Sequence, residues 1–158
     1  MACGSSSQGS PSPTPLARAE LQRIYQKAAN TYNTTEAPIT QAENLYCGAN
    51  SPQANLSKCE MALSQDRLAT IAYDSSLRGV AFPSTAKPDV TKLLSEDSQL
   101  ETLLQQASTA PSLSAINALT TQIFSLLRST ADDAARVRSD IGLPAGSAPP
   151  SATPSAAA

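Results

Sequence analysis

Residues 112–142 read SLSAINALTTQIFSLLRSTADDAARVRSDIG. Within them Leu113, Ile116, Thr120, Ile123, Leu127, Thr130, Ala134, Val137 and Ile141 recur in alternating steps of three and four. Such steps trace one stripe down an α-helix, the seam of helices packed almost antiparallel. Ser112, following Pro111, is placed to cap the first amides, and Gly142 with Pro144 supplies a stop. The seam itself carries no charge, which predicts that this helix is the most continuously buried one.

The same steps appear upstream in Leu21, Tyr25, Ala28, Tyr32, Thr35, Ile39, Ala42 and Tyr46. Thr14 and Pro15 stand where a cap and a first-turn proline belong. Pro38 removes one backbone bond, yet the register passes through it, predicting one long kinked helix that ends near Cys47 with Gly48 as cap. A third helix, capped by Asp89, carries Val90, Leu93, Leu94, Leu100, Leu103, Leu104 and Ala107. The second has two possible starts, Ser51–Pro52 and the capping box Ser57–Glu60, and runs to Arg78 before Gly79. Geometry favours Ser57, which puts Cys59 in the first turn of helix 2 and Cys47 in the last turn of helix 1. Those turns are neighbours in an antiparallel hairpin, so a Cys47–Cys59 disulfide is feasible. Strand patterns are absent. The fold class is all-α, an antiparallel up-down-up-down four-helix bundle with one disulfide near the first loop. Residues 15–142 form this domain. Residues 1–14 and 143–158, rich in Ser, Pro and Ala, read as a disordered tether and a disordered tail.

Composition removes several functions. The chain has no His, which excludes His-based triads, HExxH zinc sites, His-ligated haem and the Glu-x-x-His iron motif of ferritin-like bundles. Its net charge of −2 is unclustered, so no basic stripe offers itself to nucleic acid. No catalytic residue, metal site or cofactor is assigned, because no nucleophile has a recognisable base beside it.

Two groups of residues remain as ligand or polar-core candidates. Asp97 and Glu101 lie one turn apart beside the apolar stripe of helix 3, a spacing that suits a cation or a shifted pKa. Hydrogen bonds to Tyr25 or Tyr32, ion pairs with Arg128 or Arg136, or a solvated rim account for the pair more simply. Tyr25, Tyr32, Tyr46 and Tyr73 suit a pocket for a small or lipidic ligand, or plain packing with hydroxyls turned outward. On helix 2, Met61, Leu68 and Ile71 fall on a side away from the main stripe. They are either sandwiched by neighbours or face an envelope protein partner.

Ala2-Cys3-Gly4-Ser5, followed by a Ser/Pro tract, resembles the processed start of a bacterial lipoprotein. The resemblance covers about a dozen residues and implies that Cys3 carries a lipid inserted in a membrane. The expectation is a membrane-anchored extracytoplasmic protein of the bacterial cell envelope, acting as a structural or protein-interaction module. The alternative is a carrier or sensor bundle that holds a small apolar ligand between its helices.

Overall fold

A computed structural model describes residues 16–48 and 50–144. Four helices follow one another, α1 (Arg18–Tyr46), α2 (Leu56–Leu77), α3 (Lys87–Ser108) and α4 (Leu113–Asp140). Each packs mainly on its neighbour in sequence, giving the up-down bundle that the seams imply. Cys47 and Cys59 are disulfide-bonded across the α1–α2 connection, with Cα atoms 4.9 Å apart. Cys3, Thr14, Pro15, the tether and all of the tail beyond Pro144 lie outside the described residues, and α1 begins at Arg18 after Ala17, later than the start expected at Pro15.

Helix ends refine the sequence reading. The α1 helix continues through Pro38, and Ile39 beside it is buried. The α2 start is set by Asn55, whose side chain accepts a bond from the Lys58 amide at 3.0 Å, so Ser57 lies inside the first turn. Asn in an extended backbone ranks with Ser as a cap and comes first in the chain. Asp89 likewise sits within the first turn of α3, because a turn at Pro83–Ala86 leads into the helix three residues earlier. Pro88 is tolerated there, where no amide is needed. Neither Gly48 nor Gly79 adopts a positive φ. Gly142 does, at 75°, and the amides of Gly142 and Leu143 bond the carbonyls of Ser139 and Arg138 in a Schellman cap. Leu143, assigned to the tail by sequence, is drawn into the core by that cap.

Two apolar clusters fill the bundle. One joins Leu21, Tyr25, Leu77, Phe82, Val90, Leu93, Val137 and Ile141 near the α1 N-terminus. The other joins Cys59, Leu63, Leu100, Leu104, Ile116 and Ile123 around the disulfide end. Between them lies a polar belt. The α4 helix is not the most buried element, since Leu127 and Thr120 are only half-buried. That place belongs to α2, which packs on both α1 and α3. Nor is the α4 interior uncharged. Asp133 is fully buried and held by Lys92 at 3.0 Å and Arg136 at 2.7 Å.

Removing a packed leucine leaves a cavity, so Leu100→Ala or Leu104→Ala should cost about 2–5 kcal/mol in denaturant unfolding. Leu68→Ala, at an exposed position, should change stability by less than about 0.5 kcal/mol.

Candidate functional site

The inner faces of α1, α2 and α3 meet in the polar belt. On α2 the belt is a stripe of Asp66, Thr70 and Asp74, each one turn from the next, and all three are buried. On α1 it comprises Tyr25, Tyr32, Glu36 and Glu43, and on α3 Asp97.

The tyrosines form a connected group. The Tyr73 hydroxyl donates to that of Tyr25 at 3.2 Å, and Tyr25 donates to the Ala134 carbonyl of α4 at 3.1 Å. The Tyr32 and Tyr73 rings lie 5.3 Å apart at a tilt of 44°. Burial raises the pKa of all three phenols. Tyr46 stands apart at the disulfide end, its ring 4.6 Å from the Lys58 ammonium. The four tyrosines therefore do not share a pocket.

Asp97 is buried, but Glu101 is not its partner. Burial first, and then Asp74 through its charge and a hydrogen bond, push the Asp97 carboxyl up to about 9. Two facing carboxyls removed from water retain a proton between them. The Arg78 guanidinium, 3.2 Å from Asp74, supplies that group's counter-charge. Glu101 is half-buried and mildly raised by burial and by Asp74. Of the arginines considered as partners, Arg136 bonds Asp133 instead.

A second acidic group was missed by sequence. Carboxylate oxygens of Glu36, Glu43 and Asp66 all lie within 4.8 Å of one another. Burial raises Asp66 well above its ordinary value and lifts Glu43 to about 8, and the neighbouring carboxyls add to both effects. Glu36 is raised by burial as well. The signal was the seven-residue spacing of Glu36 and Glu43, directly beside Thr35 and Ala42 of the apolar seam. In the fold Thr35 is exposed and Glu36 takes the inward place.

Outside this belt, the α1–α2 pair forms an open groove of about 840 Å³. Ile24, Thr31, Ile39, Leu68 and Ala72 line it, Tyr32 and Tyr73 border it, and Arg23 and Lys27 stand at one end. Of the α2 residues singled out by sequence, Leu68 is 59% exposed in this groove and Met61 is 57% exposed beyond it. Ile71 is half-buried and does not line the groove. No known family, curated protein or solved structure matches the chain.

A carboxyl that keeps its proton only in the folded state binds more protons there than in the unfolded chain above about pH 4, so stability falls as pH rises toward the folded pKa. With Glu43 at about 8 and Asp97 at about 9, the unfolding temperature of cation-free protein should fall steadily from mildly acidic pH to the folded midpoints. The drop should be roughly 10 °C or more, and Asp97→Asn should flatten it.

Proposed function

We propose that this chain is an extracytoplasmic binding module of the cell envelope, tethered by a lipid on Cys3, whose α1–α2 groove takes an amphiphile with an apolar chain and an anionic head. The extracytoplasmic address is supported by the Cys47–Cys59 disulfide, a bond that persists in oxidising compartments. Among the described residues, no helix is long and apolar enough to cross a membrane. The envelope attachment rests on the lipoprotein-like residues around Cys3.

The observation that carries the ligand reading is the pairing of apolar lining with two cations. Arg23 and Lys27 lie one turn apart on α1, and neither has an ion-pair partner among the described residues. A volume of about 840 Å³ lies within the range of small-molecule sites, roughly 300–1,000 Å³. An acyl chain lying along Ile24, Ile39 and Leu68 removes their surface from water, while its head group meets the two cations. The module has a binding role and no catalytic one. Exposed Met61, two turns from Leu68, favours a second reading in which an envelope protein docks on the outer face of α2.

Displacement of a fluorescent fatty acid tests the ligand. The purified protein should bind it, and the double substitution Arg23→Glu, Lys27→Glu should weaken binding about tenfold or more, equivalent to about 1.4 kcal/mol. Ala72→Trp, which fills the groove, should weaken it too. Binding indifferent to both changes refutes the groove. For the anchor, native protein should partition into detergent and a Cys3→Ser form into water.

A further inference from the structure

We infer that Glu36, Glu43 and Asp66, completed by the Thr70 hydroxyl, form a binding site for a hard divalent cation, with calcium the best fit. The proposal stands apart from the groove. Glu36 and Asp66 follow the groove residues Thr35 and Gln65 in sequence, so they project about 100° further round their helices, into the bundle.

Each carboxylate brings an unsatisfied oxygen. Glu36 Oε2, Glu43 Oε1 and Asp66 Oδ1 are all shielded from water and have no hydrogen-bond partner. The Asp66 residue is 2% exposed. Thr70 is an independent indication, because it is no acid and yet points the same way. It is 1% exposed, its hydroxyl also lacks a partner, and it lies one turn beyond Asp66, close enough to ease that carboxyl's ionisation. A buried hydroxyl left without a bond is destabilising, and a bound ion removes that cost.

Charge strengthens the case by contrast. Asp133 is held by Lys92 and Arg136, and the Asp74–Asp97 pair has Arg78. Among the described residues, no Lys or Arg pairs with Glu36, Glu43 or Asp66. Three acids and a hydroxyl are an all-oxygen donor set, which suits calcium, magnesium or manganese and not a soft metal. Oxygens placed about 2.4 Å from a calcium ion span up to about 4.8 Å, and the three carboxylates fall within 4.8 Å. Calcium also tolerates irregular geometry, whereas magnesium demands a near-ideal octahedron at about 2.0–2.1 Å. The side chains come from two helices joined at one end by the disulfide, so an ion here ties α1 to α2 along their length.

The experiment uses the full chain, stripped with a chelator and held at neutral pH. Terbium is the luminescent probe, excited through the tyrosines. The chain has no Trp, and Tyr32 lies one turn before Glu36. The wild type should give sensitised terbium emission that calcium displaces. Calcium at about 1 mM, the upper range of extracellular calcium modules, should raise the unfolding temperature, and magnesium should raise it less. Asp66→Asn and Glu43→Gln should each weaken calcium binding at least tenfold, and Thr70→Val should weaken it by a smaller factor. Should Asp66→Asn fail to fold, the Glu43 and Thr70 variants decide. No terbium emission and no calcium-dependent shift in the wild type overturns the site, as does undiminished binding in all three variants. The Arg23→Glu, Lys27→Glu protein should bind calcium like wild type, so the cation site and the groove stand or fall separately.

Discussion

A carboxylate cannot be withdrawn from water as an anion unless something compensates its charge, and the interior of this bundle contains several. Each is handled differently. Asp133 sits between two cations that reach in from the surface. Burial raises the pKa of both Asp74 and Asp97, with Arg78 at one side as counter-charge. Among the described residues no Lys or Arg pairs with Glu36, Glu43 or Asp66, which must hold protons or bind an ion. These groups make up the belt between the two apolar clusters, so the helix register there is set by polar pairing and not by packing alone.

The outline of the fold was legible because it rests on periodicity. The α4 seam runs without a break from Leu113 to Ile141, Ser112 caps it, and Gly142 ends it as its position suggests. The Cys47–Cys59 bond followed from placing two helix ends side by side. Burial was harder to read, since it depends on which helix lies in the middle. The α2 helix is sandwiched between α1 and α3 although its second apolar side leaves Met61 and Leu68 exposed, whereas the cleaner stripe of α4 belongs to a helix with more open flanks. A clean stripe marks one packed face, and a blurred one can mark two.

The site was largely hidden for a related reason. A search for apolar steps passes over acids and gives the inward places to Thr35 and Ala42, so Glu36 and Glu43 beside them go unremarked. A one-residue rotation of the stripe reverses that assignment. Asp97 was noticed because it interrupts a leucine run, but its partner Asp74 sits on another helix and no spacing within α3 discloses it. Tyr25, Tyr32 and Tyr73 do come together, while Tyr46 is separated by the length of α1 between the two clusters.

The groove and the belt divide the α1–α2 pair into an outer apolar face and an inner acidic one. Ligand on the outside and ion or proton on the inside would both report on how these two helices sit together. The most direct test of the account is the ionisation of the buried acids themselves. Carbon-13 NMR of the side-chain carboxyls, followed by pH titration of cation-free protein, should find Asp66 still protonated well above an ordinary aspartate, near 3.9, and Asp97 titrating at about 9. Both carboxyls ionising near 4 would contradict it, because buried carboxylates would then stand in the core with nothing to hold their charge.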